Sequence, residues 1–444
     1  MKRINNLYDK MISYRNINNI YHRIRINSHN KKSIINFDKY KNSNLIDILE
    51  RLKYGTYKFS KYHIFLIHEK KYRIIMSENV SDKTVNELVS YYILLPSFNN
   101  LIDSNIATRK GKGSSYGYYL FEKYINSIGI DKDIYVLRID IKKYFYNIDH
   151  DILYSMIERR IKDKKALKII KELISLTDDS YINKEINSLI TKEIDRVSKL
   201  NISNKEKELK IKELRSIPLY KKGKGLSIGC LSNQLFAVYF LNNIDYYIKE
   251  VLKCKHYIRY MDDIYILSDN NIYLKECFIK IKEELSKIKL DINSKSGIYS
   301  LKEGISFLGY TYTKKNNRLL IRYDNNTIRK INRKLKKLYI DDFDIYFRSI
   351  SSYKGYFIRC NTLLHFNNYI NICMNNRYDK YILIKNKYPN RIIFIKYKNE
   401  YYTYDEDLFY IENNYHKRYL YRKDLNKLNN YILLEDNMVK IIEQ

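Results

Sequence analysis

Two acidic sites stand out for what their side chains could do. The first is Asp262-Asp263, inside His256-Tyr-Ile-Arg-Tyr-Met-Asp-Asp-Ile-Tyr-Ile-Leu267, where β-rich runs flank adjacent carboxylates. The pattern predicts a hairpin with both acids at its tip. Two like charges side by side on a buried strand pair are unfavourable without cations. The dipeptide alone therefore reads either as a polar turn or as a cation site, although its flanks are apolar for an exposed turn. The second site is Asp140 in Tyr135-Val-Leu-Arg-Ile-Asp-Ile-Lys-Lys-Tyr-Phe145, at the end of another apolar run read as a buried strand. Phosphoryl transfer through two divalent cations about 4 Å apart needs carboxylates converging from separate elements. In that arrangement Asp140 and Asp262 bridge two Mg2+ ions, with Mn2+ as a substitute. The carbonyl of Ile141 adds a ligand and Asp263 stands in support. One ion activates an attacking hydroxyl, and the other neutralises a triphosphate and its leaving group.

The elements that must carry these residues can be read from the hydrophobic pattern. Residues 1–55 are basic and read as helical, and 56–75 turn strand-like. A helix over 83–95 is predicted to end at Pro96, whose missing N–H favours a break. A strand over 135–141 leads into Asp149-His150 and an amphipathic helical stretch to about 176. Residues 178–214 are mostly Lys, Glu, Ser, Asn and Ile, and predict a charged helical insertion standing off the core, either solvated or in contact with a polyanion. Beyond it come a helix over 231–252, strands around Asp262, a helix over 272–289, strands over 305–312 and 319–321, and helices over 327–338 and 343–361. From 377 the chain alternates aromatic, aliphatic and charged residues, which predicts a small β-rich appendage.

Length and composition bound the partners. The 444 residues, 45% hydrophobic, suffice for a large core or a few subdomains. Lysine and arginine total 82 against 50 acidic residues, a net charge of +32. Such an excess implies a polyanion such as nucleic acid. The 48 tyrosines and the scarcity of Gly, Pro and Trp also fit an AT-rich coding sequence, which would itself enrich lysine. The five cysteines form no CxxC pair and read as reduced thiols of a cytosolic protein. No signal peptide and no membrane span is expected, so the chain reads as cytoplasmic.

With these residues in view, the chain resembles bacterial reverse transcriptases, most closely those of diversity-generating retroelements and related defence systems. The similarity runs from about residue 70 to 361. Tyr260-Met-Asp-Asp263 resembles the family's tyrosine-x-Asp-Asp box, and 140–145 its first catalytic strand. Gly225-Leu-Ser-Ile-Gly-Cys-Leu-Ser-Asn-Gln-Leu-Phe-Ala237 resembles its template- and nucleotide-positioning segment. Lys295, after Asp291-Ile-Asn, matches the lysine of the next motif, and Phe307-Leu-Gly-Tyr310 the primer-grip hairpin. Ala107-Thr-Arg-Lys-Gly-Lys-Gly113 and Lys71-Tyr-Arg73 resemble finger segments.

The resemblance implies an α+β right-hand polymerase: fingers and palm with an antiparallel sheet over 56–325, a helical thumb over 326–376, and the appendage over 377–444. It implies an RNA-directed DNA polymerase copying a retroelement or noncoding RNA, with an RNA template, a DNA or RNA primer and deoxynucleoside triphosphates. An accessory protein or noncoding RNA is a further candidate partner. Lys71 and Arg73 would clamp the triphosphate, Arg in bidentate fashion. Phe145 would lie under the incoming sugar and exclude a 2′-hydroxyl. Gly229 and Gln234 would lie near the nucleotide, Gly229 and Gly225 letting the backbone approach. Lys295 would protonate the departing pyrophosphate, or is a solvated loop lysine. Arg109, Lys110, Lys112, Tyr260, Phe307, Leu308, Gly309 and Tyr310 would contact template and primer. Neither Lys-Gly-Lys-Gly stretch, 110–113 or 222–225, fits GxxxxGK[ST], so neither reads as an ATP phosphate loop.

Several positions depart from the retroelement pattern. Ser227 stands where a proline is usual, and Asn233-Gln234 where Ser-Gln is. Ile228 occupies a place where many retroviral and intron enzymes carry glutamine, and an aliphatic residue there is similar to error-prone retroelement enzymes. The tail is too short for a ribonuclease H domain. Residues 392–408 only faintly resemble a MutS-type mismatch module, with Glu400 and Tyr402 at the places of its Phe and Glu. Other readings of the same chain are a defence-associated enzyme acting against phage and an RNA-binding, maturase-like scaffold.

Overall fold

The structure is a computed structural model describing residues 3–442, apart from 29–30, 70, 324, 342, 358, 361–376, 398, 417–418, 426–427, 429–430 and 436–437. It divides into a unit of residues 1–299 and a unit of residues 300–444. Each is described by itself.

In the first unit, the basic N-terminal segment folds into the helices Leu7–Met11, Tyr14–Ile26, Lys32–Asp38 and Lys41–Lys53. Along Tyr14–Ile26, Ile17, Ile20, Tyr21 and Ile24 recur at three- and four-residue spacing and are buried. Ser13 caps its start by accepting from the Asn16 amide. These helices share one hydrophobic core with the central sheet, so the segment is built into the body of this unit.

Strands β1 (His63–His68) and β2 (Tyr72–Ser77) form an antiparallel ribbon. The following helix starts at Val80, capped by Asn79, and continues through a wide turn at Ser90–Leu94 to Ser97. Pro96 therefore stands one residue before its end, close to the expected break. The wider turn just before the proline is made of longer-range bonds.

The central sheet contains β3 (Tyr135–Asp140), β4 (His256–Tyr260), β5 (Asp263–Ser268) and β6 (Gly297–Ser300), in the order β4-β5-β3-β6. Val136, Leu137 and Ile139 of β3 and Ile264 to Leu267 of β5 are all buried. Burial of consecutive residues means that both faces are covered. Helices Ser114–Ile128 and Asn271–Lys287 are among those packed against these strands.

The insertion forms two helices, Ser180–Ser198 and Asn204–Arg215. It does not stand off the core as its charge suggests. Ile182 and Ile186 pack with Tyr62, Ile64, Ile74 and Met76 of the β1–β2 region, and Val197 and Leu214 with Tyr72. A narrow apolar stripe on a mostly charged helix pair is enough to dock it.

In the second unit, β7 (Ile305–Phe307), β8 (Tyr310–Lys315) and β9 (Arg318–Tyr323) form an antiparallel sheet. A second sheet contains β10 (Ile392–Tyr397), β11 (Glu400–Tyr402), β12 (Tyr419–Leu420), β13 (Tyr431–Glu435) and β14 (Met438–Ile442), in the order β12-β11-β10-β13-β14. Its β10–β13 pair is parallel. Ile331 and Leu335 of helix Asn325–Asp341 and Tyr346 and Ile350 of helix Phe343–Phe357 share a core with Ile393, Ile395, Ile432 and Leu434. The residues read as thumb and those read as appendage thus draw on one core. Part of the thumb assignment, 361–376, lies outside the described residues, as does Cys373; the other four cysteines are buried. Among the described residues no helix is long and apolar enough to cross a membrane.

Candidate active site

The β4–β5 hairpin closes through Met261 and Asp262, with Tyr260 opposite Asp263. Met261 adopts a left-handed backbone, φ 53°. A non-glycine residue there stores strain of about 1 kcal/mol or more, held in place by the surrounding structure. On the other side of β5, Asp140 is the register partner of Asp263. Asp262 in the turn, Asp263 on β5 and Asp140 on β3 thus lie together at one end of the sheet.

Beneath the turn, Arg259 is fully buried and donates from Nη1 to the carbonyl of Met261 at 2.7 Å. Its Nε and Nη2 grip the buried Asp245 carboxylate at 2.6 Å each. Sequence reading missed this pair, which no motif marks.

The end of β3 is tied to the loop that follows helix Asn271–Lys287. Asp140 donates its amide to Ser296 Oγ at 3.0 Å and accepts from Ser296 Oγ at 3.2 Å and from the Asn293 amide at 2.7 Å. Ile141 bridges to Ile292, and the Lys142 amide donates to the Asp291 carbonyl at 2.8 Å. Lys295 is exposed on this same loop.

Burial, and then the neighbouring carboxylates of Asp263 and Asp140, push the Asp262 carboxyl up to about 6. Burial also raises Asp263, against the pull of Arg138, whose Nη2 stands 3.3 Å from its Oδ1. Among the described residues no three Asp, Glu, His or Cys side chains stand ready as a metal-ligating group. One oxygen of Asp263 is engaged by Arg138. The donor set is nonetheless hard oxygen with mutual repulsion that Arg138 and Arg259 only partly offset, and a divalent cation such as Mg2+ or Mn2+ would relieve more of it.

A cleft of about 340 Å³ opens beside Asp262. Lys71, Arg73, Phe145, Ile228 and Asp262 line it together, with Lys143 and Tyr144. Glu213, Ser216, Ile217 and Pro218, at and just past the end of the insertion, line it too. Sequence reading gave them no place there.

The segment 220–230 is anchored behind the cleft. The carbonyl of Ile228 accepts from the Met76 amide at 3.0 Å, extending the ribbon. Gly229, at φ 139°, leaves no room for a side chain, since a Cβ there would meet the Met76 carbonyl oxygen at 2.5 Å. Gly229 and Gln234 do not line the cleft, and Gln234 sits half-buried on helix Leu231–Phe240.

The remaining predicted contact residues are dispersed. Arg109 donates from Nη1 to the carbonyls of Ile102 and Asn105 at 2.6 and 3.0 Å, and Lys112 pairs with Asp103 at 3.0 Å; Lys110 is exposed. Tyr260 is half-buried beside the carboxylates. Phe307 and Tyr310 belong to the second unit, where their side chains are buried. Leu308 and Gly309 form the β7–β8 turn with φ 45° and 93°, as a tight two-residue hairpin requires.

A sheet end carrying three carboxylates beside a cationic cleft suits a substrate rich in phosphate. The family model described as reverse transcriptase (RNA-dependent DNA polymerase) matches residues 58–312, more than half of the chain. The protein belongs to the reverse transcriptase family and is an RNA-directed DNA polymerase, a nucleotidyltransferase. No curated protein matches it.

Proposed function

We propose that the protein makes complementary DNA on a retroelement or other noncoding RNA, by nucleotidyl transfer at Asp140, Asp262 and Asp263. The observation that carries this reading is the register pairing of Asp140 with Asp263, with Asp262 facing the cleft shared by Lys71, Arg73 and Phe145. In this reading the β3–β6 sheet is the palm and the β1–β2 ribbon belongs to the fingers. Two Mg2+ ions, when bound, supply the charge that activates the primer hydroxyl and neutralises the pyrophosphate. Asp140 and Asp262 would hold them, with the Ile141 carbonyl as a further ligand and Asp263 in support. Lys71 and Arg73 bind the triphosphate, and Phe145 meets the sugar and selects the deoxy form. Lys295, on the loop bonded to Asp140, gives a proton to the leaving pyrophosphate. The net charge of +32 supports an RNA template and a nucleic-acid primer.

Purified protein given Mg2+, deoxynucleoside triphosphates and a primed RNA tests this. Incorporation by the wild type and none by Asp262→Asn is expected. Equal incorporation by both would remove Asp262 from the mechanism, and none by the wild type would favour an RNA-binding scaffold.

A further inference from the structure

The insertion holds the cationic end of β2 beside the cleft, which its own Glu213 also lines. Tyr72 lies between Lys71 and Arg73, and successive strand residues point to opposite sides. Tyr72 is accordingly buried while Lys71 and Arg73 are exposed, and all three line the cleft. Tyr72 is gripped twice by the insertion. Its amide donates to Glu213 Oε1 at 2.9 Å, and its hydroxyl donates to Glu193 Oε1 at 3.2 Å. Val197 and Leu214, one from each helix, pack with it. Glu193 is itself fixed by Arg196, which donates to both carboxylate oxygens at 2.7 Å. Among the described residues neither Lys71 nor Arg73 has an ion-pair partner, so both cations are available to a ligand.

We propose that Glu213 is a positioning residue for the incoming deoxynucleoside triphosphate, and that the helical insertion is the outer wall of the nucleotide cleft. By fixing the Tyr72 amide, Glu213 sets where Lys71 and Arg73 meet the phosphates. This rests on the polymerase reading above. A brace that served stability alone would change the folded, active fraction and hence the apparent kcat. A brace that sets the clamp changes KM for the nucleotide.

The test is steady-state incorporation of dTTP by the full chain on oligo(dT)-primed poly(rA), with thermal melting alongside. Losing a charge-assisted hydrogen bond, Glu213→Ala raises KM for dTTP about tenfold with kcat within about twofold of wild type. Glu213→Gln keeps an acceptor oxygen and restores KM to within about threefold. Tyr72→Phe removes only the hydroxyl bond to Glu193 and raises KM about threefold, which serves also if Glu213→Ala does not fold. An unchanged KM in folded Glu213→Ala, or in Tyr72→Phe where Glu213→Ala does not fold, overturns the proposal. If that occurs while the wild type incorporates dTTP and Asp262→Asn does not, the polymerase reading stands and only the role of Glu213 falls. If the wild type incorporates nothing, both fall.

Discussion

The guanidinium of Arg259 meets the carboxylate of Asp245 in two bonds of 2.6 Å, and neither side chain is exposed to solvent. The same guanidinium reaches the Met261 carbonyl at 2.7 Å and the Val238 carbonyl at 2.8 Å, and Tyr257 donates to Asp245 at 2.5 Å. The hairpin that carries Asp262 thus stands on a buried ion pair. Arg259→Met leaves a buried carboxylate without its partner, and a loss of about 3–5 kcal/mol is expected by urea denaturation. Replacing both partners, as in Arg259→Met with Asp245→Leu, recovers at least about half of that loss. The double variant still lacks the bond to Met261, so incorporation stays about tenfold or more below wild type despite the recovered fold.

Asp262 should behave as an acid that function keeps at the expense of stability. Its carboxyl is raised from 3.8 to about 6 by burial first, and then by its acidic neighbours. A group whose folded value lies above its unfolded value contributes stability that is full below the unfolded value and lost as pH rises through the folded one. In chelator-treated protein, stability should fall as pH rises from about 4 to 6 on this account. Asp262→Asn should abolish incorporation yet stabilise the chelated protein at pH 7.5 by roughly 1–2 kcal/mol, after discounting for partial exposure. A destabilised Asn variant would show that the repulsion at this site is weaker than its burial implies.

How much of this was legible in the sequence depended on whether local pattern set the contact. Asp140 and Asp262-Asp263 could be read because each joins an apolar β run, and the pairing of two such runs brings them together. Lys71, Arg73 and Phe145 came through the family resemblance, and the cleft they line with Asp262 is a tertiary product. Asp245 and Arg259 lie on a helix and a strand with no periodic signal linking them, so their bond was invisible. The insertion reads as standing off the core because Lys and Glu dominate its composition. The i, i+4 pair Ile182 and Ile186, which docks it, was present but outweighed. The parallel β10–β13 pair joins segments far apart in the tail, and nothing local distinguishes it from an antiparallel pairing.

Gly229 offers a separate test of the segment behind the cleft. Its φ of 139° is one that side-chain-bearing residues rarely adopt, and an added Cβ would sit 2.5 Å from the Met76 carbonyl oxygen. Backbone cannot yield as a flexible side chain can. Gly229→Ala is therefore expected to cost about 2–4 kcal/mol, measured by denaturant unfolding. It should also weaken the bond from the Met76 amide to the Ile228 carbonyl, and so raise KM for the nucleotide. A variant of wild-type stability would mean that the loop relaxes freely.

Phe145 lines the cleft beside Asp262 and is half-buried, with its ring edge-to-face against Tyr144 at 5.9 Å between centroids. Tyr144 is in turn fixed by donating to the Ala237 carbonyl at 2.5 Å. An aromatic wall held this way can reject a 2′-hydroxyl by shape. Phe145→Val should lower the preference for dTTP over UTP at least about tenfold, read as the ratio of kcat/KM values on the same primed template. An unchanged ratio would remove Phe145 from sugar selection.

Ile228 presents its carbonyl to the Met76 amide and is among the residues lining the cleft. The backbone bond does not depend on the side chain, so Ile228→Gln can alter the cleft wall while leaving that anchor in place. In the polymerase reading, an aliphatic residue there would offer the nascent base pair no hydrogen-bonding group, so that discrimination at this position would rest on shape. A glutamine could bond to a correctly placed nucleotide and penalise a displaced one, a difference of about 1 kcal/mol or several-fold in error frequency. Sequencing the products made over template adenines should show fewer misincorporations by Ile228→Gln than by wild type, with thermal melting unchanged. Equal error rates would sink the idea that Ile228 relaxes fidelity.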